Sequence, residues 1–244
     1  MRHRRAWAAR PFAGVRPRLA GRRGTAGEGG PYSPGMRILI VGASGALGRE
    51  LVAQALARGH RVTALVRVPD RFELRHPNLT VVAGDVLDPA TVEAAVAGQE
   101  AVISALGHKR WLIPTRILST GTTHVLAAMA RHGVRRFVCV TSLGVGDSWW
   151  RMGLYYTLFV LPVILQFYFW DKHRQEKIVR ASGLDWTIVR PGILTGGRPT
   201  GRYKVLAEAS QWRNGIISRS DVAEFLVRQV EDHSYIYKSP VLVN

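Results

Sequence analysis

The chain has 244 residues, which is long for one domain and short for two, and 47% of them are hydrophobic, enough for a sizeable core. The single cysteine, Cys139, excludes an internal disulfide framework and favours a reducing compartment, so we expect a cytoplasmic protein. The net charge is +17, but residues 1–35 hold eight arginines and one glutamate, which leaves +10 for residues 36–244. Because no basic helix or stripe of mixed basic and aromatic residues follows residue 35, we expect no nucleic-acid partner.

Residues 1–35 form an extension rich in Arg, Gly and Pro that lacks apolar periodicity, which predicts disorder. It contains no continuous apolar run, so a secretory signal is not expected. An Arg-rich, acid-poor leader suits a transit peptide, although hydroxyl residues are few. Alternatively Met36 is the physiological start, which we favour because the folded pattern begins at the next residue. The folded domain is therefore predicted to span residues 36–244.

From Arg37 onward, short apolar runs alternate with segments of helical periodicity. The predicted strands are 37–42, 60–67, 78–85, 101–107, 135–142, 185–192 and 240–244, and the predicted helices are 46–58, 89–97, 115–132, 172–182 and 219–231. This alternation predicts an α/β fold, a Rossmann-type doubly wound parallel sheet with helices on both faces. We expect a single domain with a small C-terminal substrate region.

Residues 152–170 interrupt the pattern, because these nineteen residues carry no charge and approach the length of a membrane span. Pro162 lies in the middle, and a single crossing would place the flanking strands of one sheet on opposite sides of a bilayer. Two interpretations remain open. The segment is a buried helical crossover, or it is a lid, a dimer face, or a surface for peripheral membrane or protein contact.

The turn after the first strand, GASGALG, has glycines at Gly42, Gly45 and Gly48 between an apolar strand and an amphipathic helix. In such a turn, glycine lets the backbone approach a pyrophosphate, and the helix N-terminus supplies N–H groups. The sequence therefore predicts a dinucleotide site. Its phosphate contacts are predicted at Gly42, Ser44, Gly45, Ala46, Leu47 and Gly48.

The end of the second strand indicates which dinucleotide binds. An NAD site usually places an acidic residue there, to bond the ribose hydroxyls. This chain has Arg67, followed by Arg71, and a guanidinium can bind a 2′-phosphate. We therefore predict NADP, with NAD possible if the two arginines are only surface residues.

These motifs, with VVAGDVLDPATVEAAVAGQEAVISALG, HGVRRFVCVTS, SGLDWTIVRPG and ISRSDVAEFL, resemble the atypical short-chain dehydrogenase/reductases over residues 36–244. The resemblance is to their NAD(P)H-binding group, which includes flavin reductase/biliverdin reductase B and NmrA-like proteins. It implies further cofactor contacts, each at the carboxyl end of a strand. They are Asp85 and Val86 at the adenine; Ala105, Leu106 and Gly107 at the nicotinamide ribose; Thr141 and Ser142 at the nicotinamide; and Pro191, Gly192 and Ile193 in the same pocket. Asp221 is interpreted as a structural helix cap.

The catalytic residues follow less directly. Typical members of the wider superfamily use Tyr-x-x-x-Lys for proton transfer to a carbonyl oxygen, and Tyr168 and Lys172 have that spacing. Tyr168 also belongs to the aromatic run QFYFW, where packing is an alternative, and the flavin-reductase relatives lack the tyrosine. Ser142 is a candidate to polarise a carbonyl, or it caps a strand. His108 is a candidate pocket residue or a solvated loop residue.

His173 and Glu176 flank Lys172 and are candidates to orient it. The sequence shows no metal-ligand spacing, so no metal is expected.

Two functions are compatible with this pattern. The first is an NAD(P)H-dependent oxidoreductase, with NADPH preferred, that reduces a small conjugated or carbonyl substrate such as a flavin or quinone. The second is a non-catalytic NADP-binding sensor or assembly factor of the NmrA-like type. An epimerase is disfavoured because few residues follow residue 192. We expect a monomer or homodimer.

Overall fold

A computed structural model describes residues 35–107, 115–145 and 166–244. The strands are β1 (Arg37–Val41), β2 (Arg61–Val66), β3 (Leu79–Ala83), β4 (Ala101–Ser104), β5 (Arg136–Val140), β6 (Asp185–Pro191), β7 (Ile193–Thr195), β8 (Lys204–Leu206), β9 (Ile216–Ser218) and β10 (Val241–Val243). The helices are α1 (Ala46–Ala57), α2 (Pro89–Val96), α3 (Ile117–Arg131), α4 (Gln166–Arg180) and α5 (Arg219–Arg228), with short 3₁₀ turns at Pro69–Arg71 and Ala209–Gln211.

Eight strands form one sheet in the order β3-β2-β1-β4-β5-β6-β10-β8. All neighbours are parallel except β10 and β8, which are antiparallel. The first six positions have the doubly wound Rossmann order, in which the chain reverses direction across the sheet between β1 and β4. Ligands of such sheets bind outside the carboxyl ends of the strands at this point, so the topology locates the site.

The sheet is apolar on both faces because helices cover both. In β1, Ile38 and Ile40 pack towards α1 and α5, whereas Leu39 and Val41 pack towards α2, α3 and α4. This alternation explains why the strand is a continuous apolar run. Cys139 lies in the second cluster, where burial raises the pKa of its thiol to about 12, as suits a buried apolar residue rather than a reactive one.

The structure confirms the predicted Rossmann fold and differs from the prediction in the C-terminal part. Strands β7 and β9 pair in a separate two-stranded parallel sheet, and β8 adds an antiparallel edge to the main sheet. None of these three-residue strands was predicted from the sequence. Helix α4 begins at Gln166, six residues before the prediction, because the aromatic run QFYFW joins it.

Several predictions lie outside the described residues. They concern the extension before Gly35, the loop residue His108, and residues 152–165 of the uncharged segment. In the ranges that the structure does describe, no helix is long and apolar enough to cross a membrane.

Candidate active site

The glycine turn is built by close approaches of backbone to backbone. Gly42 has a φ of +83°, and a Cβ there would lie 2.6 Å from the carbonyl oxygen of Ala105. A Cβ on Gly48 would lie 2.1 Å from the carbonyl oxygen of Gly42, so only glycine lets α1 pack this closely on the turn. These contacts fix the turn at the end of β1, where the strand order of the sheet reverses between β1 and β4.

The N-terminus of α1 faces solvent from this turn. Gly45 is the N-cap residue, and no side chain of the described residues caps the helix there. Ser44, Gly45 and Ala46 are exposed, whereas Leu47 is half-buried and Gly48 is buried. An uncapped helix N-terminus with exposed backbone N–H groups suits a pyrophosphate, so this geometry fits the predicted dinucleotide.

A group of arginines lies beside the turn. Arg67 and Arg71 are exposed after β2, as predicted. Arg49 was not predicted as a site residue, and its guanidinium donates hydrogen bonds to the carbonyl oxygens of Ser44 at 3.3 Å and Arg71 at 3.4 Å. Arg49 therefore joins the glycine turn to the loop after β2. In the sequence, Arg49 could have been recognised as a residue of the turn from its position directly after Gly48.

The predicted adenine side follows β3. Asp85 accepts a hydrogen bond from the backbone N–H of Leu87 through Oδ1, at 3.0 Å, so its carboxylate shapes the local turn. Val86 is buried, and a Cβ on Gly121 of α3 would lie 2.7 Å from its side chain. The structure thus places both residues at a carboxyl strand end, with Val86 held by α3.

The end of β4 lies against the glycine turn. The Ala105 N–H donates to the carbonyl of Val41 at 2.9 Å, Leu106 is half-buried, and Gly107 is exposed. A Cβ on Gly107 would lie 3.9 Å from the Tyr168 hydroxyl. The tyrosine of α4 therefore reaches the strand end that was predicted to contact the nicotinamide ribose.

Tyr168 and Lys172 share one side of α4, as their spacing predicted. The Lys172 ammonium lies 5.4 Å from the centroid of the half-buried Tyr168 ring. Lys172 is itself buried and donates a hydrogen bond to the carbonyl of Val140, at the end of β5, at 3.3 Å. The structure therefore brings the pair together beside the carboxyl ends of β4 and β5.

The two hydroxyl residues after β5 have different environments. Ser142 is half-buried, and its hydroxyl donates to the carbonyl of Leu143 at 3.1 Å. Thr141 is buried, and its hydroxyl donates to the carboxylate of Glu176 at 2.7 Å. The cofactor contact predicted for Thr141 would therefore have to use its backbone, whereas the side chain of Ser142 is accessible.

Glu176 lies near Lys172 on α4 and forms its described hydrogen bonds with other residues. Its carboxylate forms a buried, two-bond ion pair with Arg190 of β6, at 3.0 and 2.6 Å, in addition to accepting from Thr141. The Arg190 guanidinium also lies 4.8 Å from the centroid of the Trp212 ring. Glu176 thus links α4 with β5 and β6, and its described hydrogen-bond partners are Thr141 and Arg190, whereas Lys172 donates to the Val140 carbonyl. His173 is half-buried on the same helix.

A second buried carboxylate fixes the position of α4. Asp171 accepts hydrogen bonds from the backbone N–H groups of Leu118, at 2.8 Å, and Ser119, at 3.1 Å, and from the Ser119 hydroxyl. It thus satisfies the N-terminus of α3 from a neighbouring helix, a contact that joins residues far apart in sequence. No local pattern in the sequence indicated it.

The turn after β6 and the start of α5 complete the site region. Pro191 is buried, and Ile193 is 48% exposed beside its strand partner Ile216. Asp221 is buried and accepts from the N–H groups of Thr200 and Gly201 at 2.7 and 2.9 Å. The structural role predicted for Asp221 is correct, but the cap of α5 is Ser218, whose hydroxyl accepts from the Asp221 N–H at 2.9 Å and donates to the Asp221 carboxylate at 2.6 Å. Within the described ranges, no group of three or more His, Cys, Asp or Glu residues is placed to hold a metal ion.

Comparison with known sequences agrees with this geometry. The sequence model of the NAD(P)H-binding family matches residues 42–233, from the first glycine of the turn to beyond α5. The chain belongs to the NAD(P)H-binding family. The matched region begins at the glycine turn and includes the strand ends and α4 residues described above.

Relatives in the family have diverse names. An uncharacterised chloroplastic protein of Arabidopsis thaliana is 31% identical over 217 residues, which cover 83% of this chain and 74% of that protein. The photosystem II assembly factor Ycf39 of Synechocystis is 28% identical over 84% of this chain, which spans only 61% of that protein. Among solved structures, the anaerobillin reductase ChuY of Escherichia coli O157:H7 has a TM-score of 0.72 and 26% identity, covering 85% of this chain and 96% of that one. The chain is thus similar both to a protein named as a reductase and to one named as an assembly factor.

Proposed function

We propose that this protein is an NADPH-dependent reductase of a small conjugated or carbonyl substrate, such as a flavin or a quinone. The observation that carries the proposal is the position of the Tyr168 hydroxyl at Gly107, with the Lys172 ammonium over the same ring. A proton donor with an adjacent cation stands at the strand end where the nicotinamide half of the cofactor is expected. The anaerobillin reductase supports this class of reaction by similarity.

The preference for NADPH rests on charge. Arg49, Arg67 and Arg71 place three guanidinium groups around the loop that follows β2, where an NAD site carries an acidic residue. Three cations favour the extra phosphate of NADPH, because guanidinium groups bind phosphate in a charge-assisted geometry.

The residues of this chain divide the reaction among them. When bound, the cofactor supplies a hydride, which a carbonyl substrate would take at its carbon and a flavin at its N5 nitrogen. For a carbonyl substrate, the Tyr168 hydroxyl gives its proton to the substrate oxygen, and the Lys172 ammonium stabilises the negative charge left on the phenol oxygen. Ser142 donates a hydrogen bond to the same substrate oxygen, for which its hydroxyl must turn away from the Leu143 carbonyl.

The experiment that tests this proposal has two stages. Purified protein is titrated with NADPH and NADH, and NADPH oxidation is then followed with FMN, a short-chain quinone and an aromatic aldehyde as acceptors. We expect tighter binding of NADPH and turnover with at least one conjugated acceptor. Binding of NADPH without oxidation by any acceptor would contradict the reductase.

A second function is supported by the surroundings of Lys172. Its ammonium is buried and donates to a backbone carbonyl, which a purely structural lysine would also do. We therefore keep, as the alternative, a non-catalytic NADP-binding sensor or assembly factor, which the name of the Synechocystis relative supports. If Ser142→Ala and Lys172→Ala each abolish turnover while the protein stays folded, the sensor is excluded. A cytoplasmic location remains our proposal for either function.

A further inference from the structure

Helix α4 has a polar side that faces the protein and an opposite side that exposes one aromatic and two cationic side chains. Outward lie Trp170, which is 57% exposed, and the exposed cations Arg174 and Lys177. Their spacing of four and three residues places them in one row along the helix. The guanidinium carbon of Arg174 lies 6.0 Å from the centroid of the Trp170 ring. We call these three residues the outer stripe, and its presence corrects the expectation that no stripe of mixed basic and aromatic residues follows residue 35.

The orientation of the outer stripe is fixed by contacts on the opposite side of α4. Asp171 is held by the N-terminus of α3, Gln175 donates to the hydroxyl of Thr122 at 3.0 Å, and Glu176 pairs with Arg190. Because these bonds prevent rotation of the helix, the outer stripe must face away from the protein. Both acidic side chains of the helix are buried inside, so its outer side carries positive charge only.

The sequence that precedes the outer stripe is uncharged. From residue 152 to Trp170 no side chain is charged. After this uncharged run, Arg174 and Lys177 are the first cationic residues whose side chains are exposed. Tryptophan followed by exposed cations at the end of an uncharged segment is typical of the boundary between lipid and water. There, the indole ring lies among the headgroups and the cations bind lipid phosphates.

We propose that the outer stripe is a contact surface for an anionic lipid bilayer, on which the protein binds peripherally. Trp170 enters the headgroup layer, and Arg174 and Lys177 bind phosphates of acidic lipids. Trp170 and the two cations then act together: the ring contributes binding that salt does not remove, and the cations contribute binding that salt screens.

The test is sedimentation of the full-length protein with vesicles of phosphatidylcholine containing 30% phosphatidylglycerol. Arg174→Ala combined with Lys177→Ala is compared with Arg61→Ala combined with Arg202→Ala, which removes two exposed cations from other surfaces. Every variant keeps the arginines of residues 1–35, so their contribution is common to all. Circular dichroism and thermal unfolding check that each variant is folded.

We expect the stripe variant to bind these vesicles roughly 25-fold more weakly, about fivefold for each of the two cations removed, and the control variant within about twofold of the wild type. In 0.5 M NaCl, Trp170→Ala should lower the remaining binding severalfold, because the electrostatic part is then screened. The proposal is overturned if the wild type does not sediment with the vesicles, or if the stripe variant binds as well as the control. The latter result would assign vesicle binding to another part of the chain and leave the stripe to a protein partner.

Discussion

The two halves of the site differ in the chemical groups that form them: one uses backbone groups and the other uses side chains. The half that we propose for the phosphates is a turn in which Gly42 and Gly48 let backbone approach backbone, and the groups it offers to a ligand are backbone N–H groups of α1. The reaction half depends on side chains of α4 that reach β4, β5 and β6. The first is a local structure of seven consecutive residues, whereas the second is a network of long-range contacts. The two halves should therefore respond differently to mutation.

The largest effect is expected in the network beneath the reaction half. Glu176→Ala leaves the fully buried guanidinium of Arg190 without its carboxylate, which should lower the free energy of unfolding by about 3–5 kcal/mol. Denaturant unfolding measures the change. Glu93→Ala, which removes an exposed ion pair with Arg131, is the matched control and should cost less than about 1 kcal/mol. If Glu176→Ala lowered the free energy of unfolding as little as Glu93→Ala does, the buried network would not be important for stability.

The next effect is expected in the glycine turn. Gly48→Ala introduces a Cβ that would lie 2.1 Å from the carbonyl oxygen of Gly42, so the helix and turn must separate, at a cost of about 1–3 kcal/mol in unfolding free energy. Because we propose that the turn binds the pyrophosphate, we also expect at least about a tenfold loss of NADPH affinity, equivalent to about 1.4 kcal/mol. Gly196→Ala is the control, since a Cβ there meets no atom within 4 Å. Unchanged NADPH affinity in Gly48→Ala would contradict the assignment of the turn.

A smaller and more selective effect is expected from the arginines. Arg67→Ala combined with Arg71→Ala should weaken NADPH binding by about tenfold to a hundredfold, since the loss of even one charged hydrogen bond to the phosphate costs about 1.5–3 kcal/mol, and should leave NADH binding nearly unchanged. Arg49→Ala should weaken both cofactors, because Arg49 also holds the carbonyl of Ser44 in the turn. Isothermal titration of both cofactors measures this. A parallel loss of NADH and NADPH in the double variant would remove the basis for NADPH selectivity.

The smallest effect lies far from both halves, at the amino end of β2. His60 is buried, burial lowers the pKa of its ring below 6.5, and among the described residues neither ring nitrogen has a hydrogen-bond partner. A ring with a lowered folded-state pKa stays neutral in the fold, so stability is full above pH 6.5 and decreases as the pH falls towards the folded-state pKa. His60→Gln should flatten this part of the stability curve between pH 7 and pH 5. An unchanged slope would show that other groups cause it.

The same contrast explains what the sequence could predict. The glycine turn, the start of α2 at Asp88, whose side chain accepts from the Ala90 N–H, and the pairing of Ser218 with Asp221 at the start of α5 could be predicted because each is determined by residues a few positions apart. The pairs of Glu176 with Arg190 and of Asp171 with α3 join residues on separate elements, and no local period encodes them. Strands β7, β8 and β9 have three residues each, too few for an alternating pattern to be recognised. Tyr168 was predictable as a candidate, but only the fold places its hydroxyl near Gly107.

The most direct test of the account is the rate of NADPH oxidation by Tyr168→Phe with a quinone acceptor, measured under saturating NADPH. The account predicts a loss of about 10²- to 10⁴-fold in kcat, because the proton donor is removed, with NADPH affinity and thermal unfolding close to those of the wild type. A Tyr168→Phe protein that oxidises NADPH at the wild-type rate would contradict the role of Tyr168 in proton transfer.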